Sequence, residues 1–306
     1  MKASGVRATG LAGLVPYGYL ASAMFVVGVY VALSKPLAAA FPVFLLGWLR
    51  FGIAGVVTLR WLRKPSAEPR LSWRLKGLLF LSSFIGSFLF TICMVLGVSR
   101  SGAVAAGVIM SAVPASVAIL SRIVLHEVIR ARVVAAIACG VLGIALLALA
   151  QPADAQGTKG DWIGYLLLSA TVLCEACYVV IGKQLTAVLS SKRISALVNL
   201  WGFVLMLPAG AWIAWRFDFG AVPLSSWLLL VFYAMAASVW TVWLWMTGLR
   251  SVPASRAGVF AVMLPVGSAF IGVVALGEPF GWQHALAFAL ALIGLLLAAW
   301  PSRARS

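Results

Sequence analysis

The chain reads as an all-α integral membrane protein, with ten transmembrane helices arranged as two inverted five-helix repeats. Three observations predict this. Of 306 residues, 63% are hydrophobic and only 10% charged, with mean hydropathy +1.08, whereas soluble domains carry roughly 25% charged residues. Apolar runs of about 20 residues, the length needed to cross a ~30 Å hydrocarbon core, recur along the whole chain. The pattern of the first half then returns in the second at a nearly constant shift.

Charges, prolines and turn residues punctuate the spans at 12–34, 41–61, 75–97, 101–122, 131–150, 161–183, 196–215, 225–248, 255–276 and 281–300. Lys2 and Arg7 precede an apolar run from Leu11 to Leu33, which exceeds the ~7–15-residue core of a cleavable signal, so it is kept as the first span. Links are short, and the longest polar ones, 63–74 and 151–160, leave no room for a soluble domain. With both termini inside, the inner loops and ends hold 18 of the 23 basic residues. The outer loops hold Lys35, Arg100, Lys159 and Arg216, and Arg50 falls within a span. A wrong span count would scramble that alternation. The positive-inside rule therefore supports ten helices, cytoplasmic termini and an inner (plasma) membrane location. The net charge of +16 is spread through these links and forms no separate arm for nucleic acid.

A shift of 151 residues carries Gly97 onto Gly248, Ala103 onto Ala254, Pro114 onto Pro265, Glu127 onto Glu278 and Gly143 onto Gly294. The first span matches the sixth at a shift of 148, Tyr30 falling on Tyr178 and Lys35 on Lys183. The division is into residues 1–150 and 151–306. Because five is odd, the second unit sits upside down relative to the first. Inverted repeats of this kind are an architecture of secondary transporters, with the substrate site near the midplane between halves.

Glu127 and Glu278 each follow one helix and precede the next, where a carboxylate can accept hydrogen bonds from free amides at that next helix's start. Pro114 and Pro265 lie within spans four and nine. Each removes an amide and frees the carbonyl four residues back, giving either a tolerated kink or a paired hinge. Small residues at Ala103, Gly107, Ser111 and Ala115, and at Gly140 and Gly143, let backbones approach closely.

These residues resemble the EamA-type branch of the drug/metabolite transporter superfamily. The run Phe44-Leu-Leu-Gly-Trp-Leu-Arg50 and the pattern Pro114-x12-Glu127, repeated as Pro265-x12-Glu278, carry the likeness, which covers nearly the whole chain. Within the branch it is most similar to the YddG-type exporters of aromatic and other amino acids. The resemblance implies ten helices, inside termini, a central cavity lined by helices 1, 3, 4, 6, 8 and 9, and export of small metabolites. One departure is that Arg50 has no basic counterpart in span seven, which reads Ala196-Leu-Val-Asn-Leu-Trp201.

Transport requires polar groups at depth. Glu175 lies about 20 Å into span six at ~1.5 Å per residue, where a charge is costly unless it meets a cavity or a partner. It is either a site for a substrate ammonium group or coupling proton, or the structural partner of Arg50. Span eight offers an aromatic stripe of Tyr233, Trp240, Trp243 and Thr247, and span three offers Phe84, Phe88 and Thr91. Aromatic walls with a few hydroxyls suit large neutral amino acids or, by cation–π contact, cationic compounds; such rings also pack on lipid. Tyr178, Ser111 and Met263 complete the cavity candidates.

No phosphate-cradling glycine loop, Walker sequence or Ser–His–Asp set is present. His126 and His284 are isolated, so no metal site is expected, and Cys174 and Cys177 share a helix face without reason to pair. The expectation is a non-enzymatic secondary transporter without cofactor or obligatory protein partner. It would export amino acids or similar metabolites by alternating access, with multidrug or quaternary-ammonium efflux as the alternative.

Overall fold

The structure is a computed structural model that describes residues 14–65, 68, 71–94, 96–97, 100, 109–110, 112–150, 162–264, 266–267, 270 and 282–299. Within residues 31–36, 38–39, 143–150, 283–284, 287–288 and 291, only the backbone is described. The described residues are almost all helical, with no strands among them. Lipid offers the backbone no hydrogen bonds, so an apolar chain satisfies its amides and carbonyls within each segment.

Among the described residues, ten helical segments follow in order. They are α1 (Val15–Ala40), α2 (Val43–Thr58, extended by a 3₁₀ turn Leu59–Leu62), α3 (Trp73–Met94), α4 (Val113–Val124) and α5 (Ala131–Ala150). In the second half come α6 (Trp162–Thr186), α7 (Ser191–Ala214), α8 (Leu224–Ser251), α9 (Ala254–Ala257, continuing as a 3₁₀ turn Gly258–Val262) and α10 (Trp282–Ala299). Among the described residues five helices are long and apolar enough to cross a membrane: α2 with its extension, α3, α6, α7 and α8.

Two boundaries differ from the sequence expectation. Helix α1 does not stop near residue 34 but runs through Lys35 and Pro36 to Ala40. Leu37 and Phe41 are buried there, and the Phe41 amide bonds the Leu37 carbonyl at 2.9 Å, so packing at this end outweighs the proline. Pro114 is not in the middle of a continuous helix. It lies in the first turn of α4, whose N-cap is Ala112, and a first-turn proline loses no intrahelical bond. The Pro265 and Ser111 positions, and Glu278, lie outside the described residues.

The packing follows the repeat. Helix α2 lies against α7, and α5 against α10, so each is packed on its own counterpart. Phe51 sits over Gly202, where a Cβ would fall 2.7 Å from its ring, while Phe203 covers Gly52. Position 51 plus 151 is 202, and 52 plus 151 is 203, so ring and hole are exchanged across a local two-fold axis. Gly248 meets Leu20 of α1, and its counterpart Gly97 meets Leu168 of α6, repeating the shifts of 151 and 148. Helices α3 and α8 each contain a π-helical turn, Phe84–Leu89 and Met235–Trp240, again 151 residues apart.

Gly202→Ala forces a methyl against Phe51, which is only 3% exposed. Overpacking of this kind costs about 1–3 kcal/mol. The expected outcome is a lower unfolding temperature in detergent, partly recovered when Phe51→Leu is added; an unchanged temperature would show that the contact yields freely.

One end of the bundle, carrying the α2–α3, α4–α5, α6–α7 and α8–α9 links, is basic and is tied together by polar bonds, those of Glu127 and Glu68 joining the two halves. Glu127 accepts from the Ala254 amide (2.8 Å), the Ser255 amide (2.9 Å) and the Ser255 hydroxyl (2.7 Å). It therefore caps α9 of the other half, not the α5 helix that follows it in sequence. Glu68 accepts from the Ser190 amide at the start of α7 (2.8 Å) and from Arg193 (2.7 Å). Lys183 donates to the Leu249, Arg250 and Val252 carbonyls at the end of α8, at 2.7–3.2 Å, where a cation offsets the negative end of the helix dipole.

Burial alone would raise the Glu68 carboxyl, but the bonds from Ser190 and Arg193 outweigh it and hold the group below the ordinary glutamate value of 4.5. A carboxyl depressed on folding contributes stability above its unfolded value, and that contribution is lost as pH falls through the folded one. Acidification below about 4.3 is expected to loosen the α2–α3 link. Limited proteolysis of this link should increase there in the native protein, and Glu68→Gln should make cleavage insensitive to pH over that window. Equal pH dependence in both proteins would remove Glu68 as the cause.

Candidate functional site

Glu175 is the fourteenth residue of α6, about 20 Å from its start at ~1.5 Å per residue. It is set deep among protein atoms, yet part of its surface stays open. Of the acids among the described residues, Glu68, Glu127 and Asp218 all accept hydrogen bonds at turns or helix starts. Glu175 alone accepts none.

Two tyrosines lie near it, and a third packs on one of them. Tyr178 lies one turn along α6; it and Tyr30 of α1 are both within electrostatic reach of Glu175. The Tyr30 ring meets the Tyr233 ring of α8 edge-on at 5.3 Å. The Tyr178 ring is seated on Gly86, where a Cβ would stand 2.8 Å from its Cγ. Gly86 belongs to the π turn of α3, so that turn brings bare backbone up to the ring. Such turns are frequent at functional sites.

Helix α7 braces both π turns. Ser83, just before the α3 turn, donates to the Val198 carbonyl at 3.2 Å, and Asn199 donates from Nδ2 to the Ser238 carbonyl inside the α8 turn at 2.7 Å. The two bonds lie side by side on α7 and satisfy polar groups that lipid could not.

Arg50 is not the partner of Glu175, since no ion pair joins them. Its guanidinium lies 4.3 Å from the Phe51 ring centre and 5.7 Å from that of Tyr233. It opens on a pocket of about 100 Å³ that Gly47, Thr91, Met206 and Tyr233 also line. A larger recess of about 400 Å³ lies at the far end of α7 between Trp212, Trp215 and Arg216. Those tryptophans are 66% and 91% exposed, as befits an interfacial belt.

The predicted residues divide accordingly. Glu175 lies near Tyr178 and Tyr30, Tyr30 meets Tyr233, and Thr91 lines the pocket beside Arg50 and Tyr233. Phe84 and Phe88 form a stacked ladder with Phe80, each step 5.7 Å, and its outer end meets Trp201. Trp243 meets Tyr19 of α1 at 6.3 Å, and Thr247 spends its hydroxyl on the Trp243 carbonyl. Met263 packs against the main core. Trp240 does not join the cavity; it is 42% exposed and packs on the similarly exposed Phe232.

Tyr30 and Arg50 were not among the predicted cavity residues. The signal for Tyr30 was its match to Tyr178 at the 148 shift. For Arg50 it was a basic residue inside a span without a repeat counterpart.

An apolar helical bundle in two like halves, enclosing an unpaired carboxylate among tyrosines, is the build of a membrane transporter. Residues 15–149 and 162–300 each match the EamA-like transporter family. The chain belongs to that family and is a multi-pass membrane transporter. It is similar to YetK of Bacillus subtilis (strain 168), an uncharacterized transporter, at 33% identity over 282 residues, or 92% of this chain and 86% of YetK. A protein of known crystal structure superposes with TM-score 0.72 at 22% identity, covering 91% of this chain and 94% of the other. At that identity the likeness shows the fold alone.

Proposed function

We propose that this transporter exports amino acids, aromatic and large neutral ones above all, or similar small metabolites, by alternating access across the inner membrane with both termini cytoplasmic. The single observation that carries the reading is Glu175, a carboxylate without a hydrogen-bond partner, with Tyr178 and Tyr30 near it and Tyr233 packed on Tyr30. It would receive a substrate ammonium group or a coupling proton, while the rings would pack on an apolar side chain. The excess of basic residues at the tied end supports its placement in the cytoplasm, and the sequence likeness to YddG-type exporters supports the substrate class. The first turn of α4 at Pro114 and the 3₁₀ turn of α9, close in sequence to Pro265, would supply the hinges.

The same tyrosine walls favour a second reading, efflux of quaternary ammonium or other cationic drugs, because aromatic faces and a carboxylate also suit a bare cation. Counterflow in proteoliposomes against labelled amino acids and one quaternary ammonium dye separates the two. Exchange of phenylalanine and other large amino acids without the dye is expected. Dye movement without amino-acid exchange would replace the first reading by the second.

A further inference from the structure

We propose that Arg50 forms a second subsite, distinct from Glu175, that binds a carboxylate group of the substrate. The inference rests on the cavity reading above and adds the anionic half of the substrate to it.

An arginine stays charged in a protein at any ordinary pH, so a guanidinium inside a membrane helix needs compensation. Arg50 finds little. Two aromatic rings lie beside it, no carboxylate pairs with it among the described residues, and its Nε is enclosed without a partner. The two terminal nitrogens make no hydrogen bond either, but they are not enclosed in that way. Arg50 lines the pocket of about 100 Å³. That volume is below the ~300–1,000 Å³ of a whole small-molecule site and suits a head group.

Beside apolar Val43, Phe44, Leu46 and Met206, the pocket holds Gly47, Thr91 and Tyr233. Gly47, one turn before Arg50, adds no side chain. Tyr233 has a hydroxyl without a hydrogen-bond partner, free to donate, whereas the Thr91 hydroxyl is spent on the Ser87 carbonyl at 2.6 Å. A charged fork of two N–H donors is the geometry that carboxylates take up in bidentate fashion.

The test measures binding of three probes to the full-length protein in nanodiscs: 3-phenylpropionate (carboxylate only), 2-phenylethylamine (ammonium only) and phenylalanine. Phenylpropionate is expected to bind the wild type, to weaken at least tenfold in Arg50→Gln, to recover in part in Arg50→Lys and to be unaffected by Glu175→Gln. No binding to the wild type, or equal binding to Arg50→Gln, overturns the subsite. If Arg50→Gln does not fold, equal binding to wild type and Arg50→Lys overturns it, because lysine keeps the charge and loses the fork. Arg50-dependent phenylpropionate binding without phenylalanine counterflow would keep the subsite and sink the amino-acid reading alone.

Discussion

Glu175→Gln is expected to reduce transport at least tenfold while leaving the protein as stable as the wild type or slightly more so. Glutamine keeps the shape and the polar atoms but can neither attract an ammonium group nor exchange a proton. A tenfold loss corresponds to about 1.4 kcal/mol, a modest demand on a carboxylate acting in a low-dielectric cavity. Stability moves the other way because no described group depends on this carboxylate for a hydrogen bond, and neutralising an uncompensated charge within a membrane helix relieves a cost. Counterflow at matched protein content, paired with thermal unfolding, reads both quantities. Lost stability with intact transport would make Glu175 a structural residue, and a surviving pH response would exclude it as the proton carrier.

Glu127→Gln is expected to lower stability by about 2–3 kcal/mol, from hydrogen bonds to a charged group worth about 1.5–3 kcal/mol each that do not add in full. The two oxygens of Glu127 receive three donors, one on Oε1 and two on Oε2. A carboxamide has an acceptor on one side only and would turn its own N–H groups toward a donor on the other. Glu127→Asp should also fail, since its shorter arm withdraws both oxygens from α9. A fall of roughly 5 °C in the unfolding temperature is expected at about 2–4 °C per kcal/mol. An unchanged value in the glutamine variant would show that water replaces the carboxylate without loss. The bonds join the two halves at the basic end, so the same variant reports on how far they hold the halves together.

Several expectations turned on features that a pattern of residue types cannot carry. The stripe Tyr233, Trp240, Trp243, Thr247 assumes a straight α-helix at about 100° per residue. The π turn Met235–Trp240 inserts an extra residue into that count. Tyr233, before the turn, therefore faces the cavity, and Trp240, at its end, comes round to the exposed face. The choice of capping partner likewise depended on which helix start lay within reach of Glu127, and that start belonged to the other repeat.

The sequence by itself determined the helical membrane class, the two-unit repeat and the family, because hydropathy, helix length and recurrence are properties of residue order. It also marked Glu175, since a lone carboxylate deep in an apolar run is visible without coordinates. Only the tertiary structure decided that Arg50 and Glu175 form no ion pair, that Tyr30 lies near Glu175 and meets Tyr233, and that acids of one half cap helices of the other. Those facts depend on how far apart helices lie and how each is rotated about its axis. Packing between helices sets both, here through contacts such as Phe51 on Gly202 and Tyr178 on Gly86, which no single segment contains.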